Sequence, residues 1–288
     1  MITTKSLESQ FRNYQTVLLP FAYNILGTSM EAEDIVQEVL HNYFLSATDH
    51  IQNPKFYLIR SVINRAITEK KRIQLLKRKY IGEWLPVPVS PEERIYKLAD
   101  QSQIVNYSLL VLLERLNPKE RAVFILKETF DFSHKEVAEV LETTVENSRQ
   151  LYKRAQQKLE PDIHRSFNTR EQSNTIIEKL TVAILEADVE QVKRLLAEDV
   201  RSISDGGGKI QAARKILVGR ESVSKFLQAI YGKYHPEGTE SQLTEINHKP
   251  AILFKLGGRV FRCIILEINK DVVENIFIIV NPEKLRSF

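Results

Sequence analysis

Five times between Thr28 and Glu146 the chain sets a Ser, Thr or Asn three residues ahead of a Glu, at the head of an apolar-periodic run. The pairs are Thr28 with Glu31, Ser90 with Glu93, Asn117 with Glu120, Ser133 with Glu136, and Thr143 with Glu146. In each, the first side chain can accept from the exposed N–H groups of a helix start, and the glutamate can reciprocate. Pro91 and Pro118 stand at first helical positions, where a missing N–H costs nothing. This pattern predicts an all-helical region over residues 1–165, interrupted by a proline-containing, non-helical linker at Ile81–Ser90 that holds Trp84.

Beyond residue 170 the texture changes. Two helices are expected within 172–198, with Asp188 as a cap between them, and another over Glu221–Tyr234. Around them lie β-branched or alternating stretches: Val200–Ser204, Lys209–Ala213, Pro250–Leu256, Arg259–Ile268 and Val272–Val280. Gly206-Gly207-Gly208, Gly257-Gly258 and Lys270-Asp271 punctuate them as turns. Helices leading into a mostly antiparallel sheet define an α+β domain. The 288 residues suffice for about two domains.

Several classes of function are disfavoured at once. No apolar run approaches the roughly 18–20 residues that span a bilayer, and the N-terminus lacks the layout of a signal peptide. The single cysteine, Cys263, excludes an internal disulfide framework and reads as a core thiol. His41, His50, His134 and His164 show no metal-ligand spacing, so no metal site and no cofactor are expected.

Net charge is only +4, but its distribution is polar. Residues 1–54 carry two cations against six carboxylates; residues 55–79 carry nine cations against Glu69 alone. Within the basic segment Phe56, Ile59, Ile63, Ala66 and Ile67 recur at helical spacing and make a buried face. Arg60, Asn64, Thr68 and Lys71 line another face, with Arg65 and Arg72 beside it. Cations and an amide presented by an anchored helix suit contact with phosphates and base edges.

A second nucleic-acid signal lies at 133–159. A short helix after Ser133 and a longer one from Thr144 form a helix-turn-helix pattern, with Ser148, Leu151, Tyr152, Ala155 and Leu159 packed inward. Asn147, Arg149 and Gln150 fall where a recognition helix reads bases, and Lys153, Arg154 and Lys158 where it meets phosphates. Periodicity alone equally allows an ordinary helical hairpin with a solvated basic face.

The segments AEDIVQEV (Ala32–Val39), FYLIRSVINRAITEKKR (Phe56–Arg72) and Leu112–Leu159, in this order, resemble the sigma factors of bacterial RNA polymerase, of the compact extracytoplasmic-function type. The resemblance implies polymerase-binding residues Glu33, Asp34, Gln37 and Glu38 on the first segment, meeting the beta-prime clamp. It implies minus-ten contacts through Arg60, Asn64, Arg65, Lys70, Lys71 and Arg72. It assigns minus-thirty-five recognition to Asn147, Arg149, Gln150, Lys153 and Arg154, in a region that also meets the beta flap. Phe56-Tyr57 replaces the family's usual tryptophan, and Thr68 its frequent aspartate.

YIGEWLPVP (Tyr80–Pro88), SDGGGK (Ser204–Lys209) and NPEKL (Asn281–Leu285) resemble the signature segments of a sigma subgroup with a fused SnoaL-like domain of the NTF2-like cone fold. That likeness implies regulation in cis, in place of a separate anti-sigma protein. Its interdomain residues would be Trp84, Leu85, Pro86, Asp205, Gly206, Gly207, Gly208, Lys209, Asn281, Pro282 and Lys284.

The expected chain is therefore multidomain. Sigma region two occupies 1–80, the linker 81–105, region four 106–165, and the SnoaL/NTF2-like domain 172–288. Core RNA polymerase and promoter DNA are the expected partners, in the cytoplasm and without a membrane. No catalytic residue is expected: only His235 and His248 fall in the second domain, and Gly206–Lys209 lacks the spacing of a phosphate-binding loop. The alternative is an NTF2-like enzyme or ligand sensor fused to a helix-turn-helix regulator.

Overall fold

A computed structural model describes residues 4–46, 51–160, 162, 174–234 and 236–288. His50, His164 and His235, and the junction expected between 165 and 172, lie outside the described residues. Two compact units emerge. One comprises Met1–Arg78, Pro91–Val105 and Leu112–Asp162; the other Lys79–Ser90, Asn106–Val111 and Ile163–Phe288.

The first unit is helical: α1 (Thr4–Leu26), α2 (Ser29–Leu45), α3 (Pro54–Lys77), the short α4 (Arg94–Leu98), then α6 (Pro118–Glu128), α7 (His134–Val140) and α8 (Val145–Leu159). The intervening α5 (Tyr107–Leu112) lies almost wholly in the second unit. Helix α3 starts where Asn53 accepts from the Phe56 N–H at 3.1 Å and Pro54 takes the first turn. Its buried stripe is Leu58, Ile59, Val62, Ile63, Ala66, Ile67 and Ile73. At three- and four-residue spacing these make one continuous apolar side, as α1 does with Leu18, Leu19, Ala22, Ile25 and Leu26.

Asn117 and Ser133 form complete capping boxes with Glu120 and Glu136. The other three cap expectations need correction. Thr28 precedes α2 without a side-chain cap bond. The short helix after Ser90 begins only at Arg94, with Glu93 as its cap residue. Helix α8 is capped by Thr144, which accepts from Asn147 N–H, because Glu142 takes a left-handed φ of 49° and shifts the start by one residue.

The second unit holds one six-stranded sheet in the order β2-β1-β6-β5-β4-β3. The strands are β1 (Leu196–Asp205), β2 (Leu217–Val218), β3 (Glu240–Ile246), β4 (Lys249–Leu256), β5 (Arg259–Asn269) and β6 (Val272–Ile279). Among the described strands only the β1–β6 pair is parallel. Helices α9 (Asn174–Leu185), α10 (Val189–Leu195, capped by Asp188) and α11 (Arg220–Tyr234) contribute to the core on one face. This is the expected α+β arrangement.

Because side chains alternate along a strand, β5 serves two cores. Ile264, Leu266 and Ile268 join the helices, whereas Cys263 and Ile265 pack on the opposite face with Leu85, Tyr107 and Leu285. Residues 209–213 are not a strand: Gly207 and Gly208 turn with φ of 64° and 71°, and Ile210 N–H returns to the Gly206 carbonyl. Strand β3 escaped the hydrophobic pattern because it is an edge strand, exposed over most of its length and paired only to β4.

Candidate functional site: the basic helices and the linker clasp

On α2, Asp34, Gln37 and Glu38 are exposed and Glu33 is half-buried, giving an acidic outer edge. Glu38 takes both of its bonds from the Arg65 guanidinium on α3, at 2.6 and 2.9 Å. Both partners are about half exposed, so the pair adds little stability and competes weakly with another anion.

The six α3 residues expected to meet DNA divide by environment. Arg65, Lys71 and Arg72 are exposed, with Arg72 bonded to Glu69 one turn back. Arg60 and Asn64 instead meet the end of α7: Arg60 pairs with Glu142, and Asn64 Nδ2 donates to the Val140 carbonyl at 3.0 Å. Lys70 is not on the outward face at all. It is fully buried, donating to the Leu26 carbonyl at 2.6 Å and to Glu114 at 2.8 Å. Lying three residues beyond Ile67 and three before Ile73, it shares the phase of the apolar stripe.

Glu114, between α5 and α6, gathers three cations. Besides Lys70 it binds Lys77 from the same helix and Arg121 of α6 at 2.6 Å; Arg121 also donates to the Asn24 carbonyl of α1 at 2.8 Å. Burial alone would raise the Glu114 carboxyl, but Lys70, Arg121 and Lys77 outweigh it and hold the group far below the carboxylate range. Burial, then the neighbouring Arg121 charge, pushes Lys70 well below its ordinary value. Sequence reasoning missed Glu114 and Arg121, since their partners lie up to 97 residues away in the chain.

A pH dependence follows from this cluster. The Glu114 carboxyl binds its proton less readily folded than unfolded, so its stabilisation is complete above the ordinary value of 4.5 and drains as pH falls below it. The urea midpoint of the helical unit is expected to decline from pH 5 to pH 3, followed by far-ultraviolet circular dichroism.

Ser148, Leu151, Ala155 and Leu159 are buried on α8 as expected. Tyr152, however, is half-buried with its hydroxyl donating to Glu128, and Lys158 pairs with Glu120 at 2.6 Å instead of standing free for phosphate. Arg149, Gln150, Lys153 and Arg154 are exposed along its outer side. Asn147 is half-buried and donates to the Thr143 hydroxyl at 2.7 Å. The outward row places an amide and a guanidinium near the helix start and two further cations a turn later, the layout that base reading and phosphate contact require.

In the second unit Asp205 is the hub of the linker. Its carboxylate, fully buried, accepts from the Tyr80 hydroxyl, from Leu85 N–H at 2.8 Å, from Gly207 N–H at 3.0 Å and from Lys284 Nζ at 2.6 Å. Lys284 also donates to the Leu85 carbonyl and stands 3.9 Å from the centroid of the Trp84 ring. Asn281 Nδ2 donates to the Tyr80 hydroxyl at 2.9 Å. Burial, reinforced by the Asp205 bond, raises the Tyr80 phenol and keeps it a donor.

The glycines have a steric cause: a Cβ at Gly206 would lie 2.2 Å from the Ile210 carbonyl oxygen, and one at Gly207 2.5 Å from Asn281 Nδ2. Lys209 pairs with Glu283 at 2.6 Å on the surface, and Pro282 is exposed. Pro86 is buried, its carbonyl accepting from the Tyr107 hydroxyl at 2.8 Å. Thus Tyr80, Trp84 and Leu85 of the linker meet Asp205, Asn281 and Lys284, while Pro86 meets Tyr107.

Tyr107 and Asn247, which accepts from Val89 N–H at 3.0 Å, extend the clasp and were not foreseen. Asn247-His248 is a two-residue hairpin with both φ positive, a legible turn signal, but nothing local ties it to Val89. Tyr107→Phe removes one neutral bond and is expected to cost about 1 kcal/mol of stability in the second unit, measured from urea midpoints.

Two basic helical elements, one in a helix-turn-helix, present cations and amides of the kind that meet nucleic acid, and the matching family models give the class as sigma-70. Residues 10–75 match the family model for sigma-70 region 2, and residues 107–159 that for sigma-70 region 4. The chain is 31% identical over 238 residues to the ECF RNA polymerase sigma factor SigJ of Mycobacterium tuberculosis, covering 79% of this chain and 74% of that protein. It is 24% identical over 287 residues to the probable ECF RNA polymerase sigma factor SigI of the same species, covering 97% and 94%. The crystal structure of SigJ from M. tuberculosis superposes with a TM-score of 0.77 at 27% identity, covering 97% of this chain and 98% of that one. The chain belongs to the extracytoplasmic-function sigma factors of RNA polymerase. As such it serves promoter-specific transcription, with RNA polymerase and promoter DNA as partners.

Proposed function

We propose that this sigma factor reads the minus-thirty-five duplex through Arg149, Gln150, Lys153 and Arg154, with Asn147 turning outward from Thr143 on binding. Arg60, Asn64, Arg65, Lys71 and Arg72 hold the melted minus-ten strand. Unstacking bases costs a few kcal/mol, which contacts to the single strand repay. The acidic edge of α2, at Glu33, Asp34, Gln37 and Glu38, docks on the beta-prime clamp, and the helix-turn-helix region on the beta flap. The protein works in the cytoplasm, beside the polymerase.

The observation that carries the regulatory part is the bond from Asn64 to the Val140 carbonyl, with Arg60 on Glu142 beside it. Two of the residues assigned to single-stranded DNA, Arg60 and Asn64, are engaged by the helix-turn-helix, so their use in promoter opening requires α3 and α7 to part. Lys70 supports the fold from inside this unit and contributes to DNA binding only through α3. The C-terminal unit regulates in cis by holding the linker that joins the two sigma regions, and a separate anti-sigma protein is not required. A binding role for that unit is favoured over catalysis: the cavity on its helix side is lined by Arg259, Arg262 and Ser204, with no carboxylate or imidazole among the described lining residues.

Sigma-free core polymerase supplied with the full chain, or with a truncation near residue 168, tests both parts. Promoter-specific transcripts are expected, at a level that differs between the two forms. Absence of transcripts and of polymerase binding with either form contradicts the promoter reading; equal output contradicts regulation in cis.

A further inference from the structure

The helix-side face of the sheet does not close on itself. Between β1, β5, β6 and α11 lies a cavity of about 860 Å³, walled largely by apolar side chains such as Phe226, Ile230, Phe261, Ile278 and Val280. Cavities of roughly 300–1,000 Å³ hold drug-sized ligands, with few polar groups setting orientation.

The charged groups here share one sign, beside the neutral Ser204 and Gln211. Arg262 lines the cavity from β5 while only 3% exposed, its guanidinium carbon 5.6 Å from the Phe254 ring centroid and 5.4 Å from that of Phe261. Ser204 lines it from β1; its hydroxyl is buried and has no hydrogen-bond partner among the described residues. Arg259 adds a second cation at the exposed end, and no carboxylate joins the described lining.

We propose that this cavity binds a small monocarboxylic acid with an apolar body, its carboxylate held by Arg262 and Ser204. A guanidinium's planar fork matches a carboxylate, and the Ser204 hydroxyl supplies one further donor. The apolar walls take the rest of the molecule out of water. The site is well placed to be felt by the linker: Ser204 and Asp205 are neighbours on β1, as are Asn281 and Pro282 at the end of β6. In each pair one residue lines the cavity and the other belongs to the clasp.

Binding is read on the full chain without polymerase, so the result is independent of the promoter reading. The probe is 11-(dansylamino)undecanoate, whose emission rises and shifts to the blue in an apolar site. Dodecanoate, dodecan-1-ol and dodecylamine then compete for it at pH 8. Dodecanoate is expected to displace the probe at least about tenfold better than the alcohol, as a charge-assisted pair predicts, and the amine least well. Arg262→Gln, once circular dichroism shows it folded, is expected to lose that preference and keep the alcohol's affinity. Equal displacement by acid and alcohol, better displacement by the amine, or no probe enhancement in the unaltered chain each overturns the proposal, whatever the fate of the variant.

Discussion

Glu114→Gln is expected to destabilise the helical unit by about 3–5 kcal/mol, the cost of leaving buried charge without its counter-ion. Lys70 and Arg121 are both fully buried, and a neutral amide offers one acceptor where the carboxylate serves three cations. The carboxylate also joins parts distant in sequence: Lys70 and Lys77 belong to α3, and Arg121 to α6, which reaches back to Asn24 of α1. Urea titration at pH 7 should show a lower midpoint. The acid-induced decline between pH 5 and pH 3 should shrink, because the group responsible has gone. A midpoint within a few tenths of the parent's would show that the cluster is solvated in solution.

Asp205→Ala should act on the other unit with comparable force. Four donors converge on this carboxylate, and its removal strands the largely buried Lys284 ammonium and the Leu85 N–H. Losing one member of a buried ion pair costs about 3–5 kcal/mol. Here the expense falls on the attachment of the linker. Trp84 is the only tryptophan, so intrinsic emission reports the linker directly; it should move to the red, with proteolysis accelerating within residues 79–90. Transcription by the full-length variant should approach that of the truncation near residue 168. Unchanged Trp84 emission would contradict the clasp.

Much of this architecture was legible because its causes are local. Capping boxes at Asn117 and Ser133 bind within three residues, and the near-continuous β-branched apolar runs of β5 and β6 mark strands buried on both faces. The clasp residues stood out as motifs, though only the fold brings Trp84 to Lys284 across two hundred residues. What escaped was long-range. Glu114 sits in an ordinary run, LLERLNP, and acquires its importance from cations on α3 and α6. The family resemblance assigns Lys70 to the minus-ten contacts, while its phase relative to Ile67 and Ile73 places it inside. The closure of α7 over Asn64 depends on two segments 76 residues apart and leaves no trace in either.

That closure is the central claim, and a distance measures it most directly. Spin labels placed by Thr68→Cys on α3 and Lys135→Cys on α7 sit at exposed positions on the two helices joined by the Asn64–Val140 bond. The native Cys263 is buried, and burial raises its thiol, so it does not compete for label. Double electron–electron resonance on the free full chain should give one narrow, short distance distribution. Adding core RNA polymerase should replace it with a longer one as α3 and α7 part. A broad distribution in the free protein, or a short distance that persists on polymerase, would contradict the account.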